Sequence, residues 1–257
     1  MQSTLQAAKN TSNTIMFIDS SDRQANDTSS NFRVDVDTLL GSDVSSVSIQ
    51  YIQIPTSYYR INSTNNKFLL GATGGAPVTV TIPVDNYNIT NFVGVSGALA
   101  VAMNAAGLGV TFDPEYNTSS GKLVITSSDG SDFYITTSGL NNSYLGMPVF
   151  TTLYSVASTG VFTSTNILDL SGTKFIEVRC DLNLNSTTTI NYNRNVLARI
   201  PVNVSPFNSI IYTSQAFIKI NSRSNFFNSL SLSLWDDRGV ALDLNGAEWS
   251  MCMIVSN

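Results

Sequence analysis

Ser229-Leu230-Ser231-Leu232-Ser233-Leu234-Trp235 alternates apolar and polar residues without a break, the period-two signature of a half-buried β-strand. Asp236-Asp237-Arg238-Gly239 follows and fits a type I turn, with Asp first and Gly last. A short piece at 240–244 leads to 249–255, apolar at nearly every position, as a strand covered on both faces would be. Upstream of the quoted stretch, Ile176, Val178, Cys180 and Leu182 share one face while Glu177, Arg179 and Asp181 take the other. Strands are also predicted at 196–202, interrupted by Pro201, and at 210–220.

The front of the chain reads the same way. Strands are predicted at 14–18, at 31–36 (Phe32, Val34 and Val36 opposite Arg33 and Asp35), and at 44–54, stopped by Pro55. Within the third, Val47, Ile49 and Tyr51 share one parity and Ile52 and Ile54 the other. A bulge near Tyr51 accounts for the slip, because one extra residue flips the face of everything after it.

Between these two groups the pattern changes. Lys67 to Leu70 and 78–82 read as strands around a Gly-rich turn at 71–75. Phe92, Val95, Leu99, Met103 and Ala106 then recur at helical spacing, with Thr90 as N-cap and Gly107 at the C′ position. Short strands at 110–112, 123–126 and 133–135 complete a β-β-α-β-β-β unit, followed by a Ser/Thr/Gly stretch at 154–165 that reads as flexible. The expected organisation is a polar arm over 1–12, a sandwich built from 13–64 and 152–257, and an inserted small α/β subdomain over 65–151. About eight antiparallel strands remain outside the insertion, which is the jelly-roll count. The expected class is therefore all-β dominated, a single antiparallel jelly-roll sandwich with an insertion.

Composition supports β structure and narrows the chemistry. The chain has 257 residues, of which 12% are charged, about half the usual share. Ser, Thr and Asn fill the gap at about a third of all residues; they compete with helix backbones for hydrogen bonds, and Thr favours strands. With His 0, imidazole-dependent catalysis and His-ligated zinc are excluded. Cys 2 cannot build a zinc site alone, and Cys180 and Cys252 read as small core residues. A net charge of −5 argues against a sequence-independent grip on nucleic acid. No stretch approaches the apolar length of a membrane span, and the opening residues lack a secretory pattern. Neither a P-loop nor a nucleophile elbow is found; Gly94-Val95-Ser96-Gly97-Ala98 has its last glycine one place early.

Three sets of residues remain as candidates. Asp19, Asp22 and Arg23 follow the first strand, and Asp236, Asp237 and Arg238, with Asp243 and Glu248, lie near the end. Turn chemistry explains both groups; a carboxylate pair or a calcium site is the functional alternative. The aromatic pairs Tyr58-Tyr59 and Phe226-Phe227 lie near predicted strand ends, where they suit rim packing, a subunit interface or a sugar platform.

Several segments in order resemble one family. They are Phe17-Ile18-Asp19-Ser20-Ser21-Asp22-Arg23, Asn31-Phe32-Arg33-Val34, Ile54-Pro55 with Tyr58-Tyr59 and Asn62, Thr81-Ile82-Pro83 with Asn86-Tyr87, Val110-Thr111-Phe112-Asp113, Leu145-Gly146, and Leu232 to Gly239 with Leu242-Asp243-Leu244-Asn245-Gly246. Together they resemble the minor capsid, or penton, proteins of virophages, polinton-like viruses and related large DNA viruses. The turn at Asp19 to Arg23 departs from the family's common pattern, in which a basic residue often separates the acids. The resemblance implies a homopentamer at the five-fold vertex of an icosahedral virion, partnered by the major capsid protein and made in the infected host cell. It implies an inserted domain projecting from the jelly roll, no catalytic residues and no cofactor. A carbohydrate- or receptor-binding jelly-roll spike head is the alternative.

Overall fold

The computed structural model describes residues 13–36, 45–136, 143–147, 154–155, 159–182, 184, 186, 195–214, 217–219 and 229–256. The arm expected over 1–12 and the Phe226-Phe227 pair lie outside these residues. In chain order the strands are β1 (Asn13–Asp19), β2 (Asn31–Asp35) and β3 (Ser46–Pro55), then β4 (Lys67–Ala72) and β5 (Val78–Thr81). Helices α1 (Ile89–Phe92) and α2 (Ala98–Asn104) precede β6 (Phe112–Asn117), β7 (Lys122–Ser127), β8 (Phe133–Thr136), β9 (Tyr154–Ser155) and β10 (Val161–Ile167). The chain finishes through β11 (Phe175–Cys180), β12 (Val196–Pro201), β13 (Ser209–Thr213), β14 (Phe217–Lys219), β15 (Ser229–Trp235) and β16 (Ser250–Ser256). Two compact units result: Met1–Tyr58 with Thr173–Asn257, and Tyr59–Gly172.

The first unit is an antiparallel sandwich. One sheet has the order β1-β16-β3-β13, with β14 also on β3, and the other β12-β11-β15-β2. With β13 and β14 counted as two parts of one strand along β3, successive strands pass from sheet to sheet, except that β11 and β12 are neighbours, which is a jelly-roll path. Alternation makes this packing possible. Leu230, Leu232 and Leu234 of β15 enter a core with Val34 and Val178 of the same sheet and Ile18, Ile52 and Met253 of the other. Trp249 joins them, donating its indole N–H to the Ser29 carbonyl at 2.6 Å and meeting Phe32 edge to face. The parity slip in β3 is a bulge: Tyr51 pairs with Cys252 but Ile49 with Met253, leaving Gln50 as the extra residue. Val47 and Ile49 before it and Ile52 and Ile54 after it are all buried.

The second unit has its own core around Phe92, Leu99, Leu123 and Ile135. Two sheets serve it, β5-β4-β8-β9 and β10-β7-β6. It is larger than the sequence suggested at both ends. Ile61 exchanges backbone hydrogen bonds with Asp85, so the unit begins before residue 65. At the other end β10 pairs with β7, carrying the unit past residue 151 through Gly172. The stretch read as flexible over 154–165 therefore contributes β9 and β10. Its serines hid a buried position: Ser164 accepts the Leu123 N–H at 3.0 Å and donates to the Asn166 carbonyl at 2.7 Å.

The expected single helix over 92–106 is two short ones. Gly94 takes a left-handed φ of +89° and donates its N–H to the Pro114 carbonyl at 2.6 Å, which ends α1. The N-cap is Asn88, in a reciprocal capping box with Asn91, and not Thr90. Gly146 explains the Leu145-Gly146 pair: at φ +73°, a Cβ there would run into the carbonyl oxygens of Asn166 and Ile167. Among the described residues no helix is long and apolar enough to cross a membrane.

Candidate functional site

The first acidic group is a turn locked to the opposite end of the chain. Asp19 caps a short 3-10 turn by accepting the Ser21 N–H at 2.8 Å. Arg23 reaches Glu248 at 2.6 Å and the Ser20 carbonyl at 2.7 Å. Fully buried Ser20 donates its hydroxyl to Glu248 and accepts the Trp249 N–H at 2.9 Å. The Ser20 hydrogen bond, then Arg23, holds the Glu248 carboxyl below its ordinary range. Asp22 instead faces a groove between β1 and β2.

The second group is divided among separate turns. Asp236, 1% exposed, accepts the Arg238 and Val240 N–H groups at 2.9 and 2.8 Å and pairs with the Arg238 guanidinium at 2.6 Å. Gly239 donates to the Asp236 carbonyl at 3.0 Å, closing the expected turn. Asp237 accepts the Lys174 N–H at 3.3 Å, and burial raises its pKa. Asp243 caps its own turn by accepting the Asn245 N–H at 2.8 Å, while Glu248 belongs to Arg23. Among the described residues no three His, Cys, Asp or Glu side chains converge in a way that could hold a metal ion. These carboxylates hold backbone amides and arginines, which is turn chemistry.

Tyr58 is buried in the sandwich core; Tyr59 is half-buried at the start of the second unit. The buried ring of Tyr58 is not placed to act as a stacking platform. Cys180 packs against the sandwich core, and burial pushes its thiol up to about 12. Cys252 is buried on the other face of β16 from Met251 and Met253, in register with Phe17 and Tyr51.

Two arrangements escaped the sequence reading. On β11, Glu177 is fully buried although its parity opposes the core. Arg179 pairs with it at 2.6 Å and Arg199 of β12 at 2.7 Å. Arg179 lies over the Trp235 ring and Arg199 over Phe175, so aromatic and guanidinium planes cover the carboxylate. Glu and Arg two residues apart on a predicted strand, with Trp235 in another, were the available signal. The second arrangement is a loop before β13. Buried Thr56 accepts the Asn208 N–H through its hydroxyl oxygen at 3.0 Å, and its single hydroxyl proton is shared between the Ser205 and Asn208 carbonyls, 2.9 and 2.8 Å away. Its backbone carbonyl takes the Phe207 N–H at 2.9 Å. Phe207 is thereby held at φ +65° with 73% of its surface exposed.

No protein-family profile and no curated protein matches the chain. Among solved structures it is similar to the mavirus penton protein, with 13% identity and a TM-score of 0.46 over 96% of this chain and 100% of that one. It is also similar to a chain in the structure of the Sputnik virophage, with 13% identity and a TM-score of 0.43 over 95% and 97%.

Proposed function

We propose that this chain is a structural capsid protein, the penton subunit that forms a homopentamer at the five-fold vertices of an icosahedral virion. The observation that carries the reading is the sandwich itself, a jelly-roll path interrupted between β3 and β11 by a second compact unit. This is the architecture that the ordered sequence motifs imply. Surface chemistry agrees with it: few charges and many neutral polar groups make close protein contact inexpensive in desolvation. Apart from Asp22, which faces the groove between β1 and β2, the carboxylates singled out from sequence hold turns and arginines, an arrangement that supports a role in assembly. Its partners on this reading are further copies of itself and the major capsid protein.

Light scattering of the purified chain across concentration, with microscopy of whatever forms, tests this. Five-fold rings are the expected product. A stable trimer that binds glycans tightly would overturn the reading in favour of a spike head.

A further inference from the structure

We propose that copies of this chain join head to tail, the groove between β1 and β2 of one copy receiving Phe207 and Ile211 from the next. The inference deepens the assembly reading above and rests on it.

β1 and β2 are the end strands of the two sheets on one side of the sandwich. Between them lies an open groove of about 380 Å³ lined by Met16, Ile18, Val34 and Val36, with Asp22 and Asp35 on its wall. An exposed apolar strand edge invites a partner unless something covers it. β12 and β13 end the sheets on the other side. There Phe207 and Ile211 are 73% and 72% exposed. A left-handed backbone is costly for a bulky residue, yet Thr56 holds Phe207 in it and turns the ring to water. A rigid aromatic knob beside an exposed isoleucine is the kind of anchor that fills a partner's apolar pocket.

Charge selects the pairing. Residues 13–36 carry Asp19, Asp22, Asp27 and Asp35 against Arg23 and Arg33, whereas 196–219 carry Arg199 and Lys219 and no acid. Groove against groove would set aspartates against aspartates, which groove against the β12 and β13 edge avoids, although Arg199 there is itself paired with Glu177. Across the sheet, Asp19, Ser250, Gln53 and Ile211 form one row. Ile211 on the far edge is therefore level with the residue that follows groove-lining Ile18, with Phe207 four residues before it. A closed ring about an axis along the strands needs contacts at matching levels on opposite edges.

Disulfide trapping tests the contact. Phe207 and Gln24, which lines the groove, are separated within one copy by three strand spacings, about 14 Å, too far for an internal bond. The Gln24→Cys/Phe207→Cys chain should give a ladder of linked multimers ending at a closed ring on mild oxidation, and the two single variants mixed should give one heterodimer. Native Cys252 is buried and Cys180 half-buried, and burial raises both thiol pKa values, which slows their oxidation. Phe207→Asp, which tolerates a left-handed backbone, should raise the concentration for half-assembly at least about tenfold with an unchanged circular dichroism spectrum. Rings that form normally in Phe207→Asp, or equal ladders from a Val101→Cys/Phe207→Cys control, would overturn this contact while leaving the capsid reading standing. A native chain that forms no rings at any concentration would overturn the capsid reading itself.

Discussion

Glu177 sits where alternation says solvent should be, and two arginines and two aromatic rings take the place of water around it. Removing one partner of such a buried pair strands the others without compensation. Glu177→Ala should therefore destabilise the sandwich by about 3 kcal/mol, the low end of the usual range because the Arg199 side chain is 46% exposed and can turn outward. The drop in urea midpoint at unchanged slope measures it. Glu248 makes a pH-dependent prediction. Its carboxyl is held below the ordinary range by Ser20 and Arg23, so its stabilisation is present above the unfolded pKa and is lost as pH falls through the lower folded value. Glu248→Gln should flatten the fall in melting temperature below about pH 4.3 relative to the native chain. The turn bonds of Asp19 and Asp236 were legible from residue type and spacing, because Asx turns are local. The partner of Glu248 was not, since 225 residues separate it from Arg23 and no periodicity links them.

At the scale of elements, β3 shows what a sequence can disclose. Its change of parity between Ile49 and Ile52 located the bulge, because each side of the slip still had to bury its own apolar set. Deleting Gln50 removes the extra residue and leaves Val47, Ile49, Ile52 and Ile54 in unbroken alternation toward the core. The expected result is retained cooperative thermal unfolding, read by near-UV circular dichroism; loss of cooperativity would show that Gln50 is not the extra residue. The helices were less legible. Phe92, Leu99 and Met103 are buried as their spacing required, but spacing alone cannot reveal that Gly94 leaves the helix to reach Pro114. Asn88→Ala removes one half of the capping box and should cost about 1 kcal/mol, seen in the unfolding midpoint. β10 was missed for a chemical reason: Ser164, which hydrogen-bonds Leu123 and Asn166, occupies a buried position where the eye looks for a hydrophobe.

At the scale of the molecule, the two cores draw on separate residues, and the sandwich pairs only strands outside Tyr59–Gly172. Replacing that segment with a short Gly/Ser linker should leave a chain rich in β-structure that unfolds cooperatively; an unfolded, insoluble remainder would show that the sandwich depends on its insertion. The pairing of β1 with β16 has a further consequence, in time rather than space. Asn13 lies opposite Ser256, so the earliest strand waits for one made about 240 residues later, roughly 12–50 s at ordinary translation rates. The inserted unit is continuous and can close its core on the ribosome during that delay, while Met16 and Ile18 have nothing to pair with. The groove they line exists only once β16 has docked. On the head-to-tail contact proposed above, a copy becomes competent to receive a neighbour only after its own synthesis has passed β16, which would keep nascent chains from polymerising on the polysome.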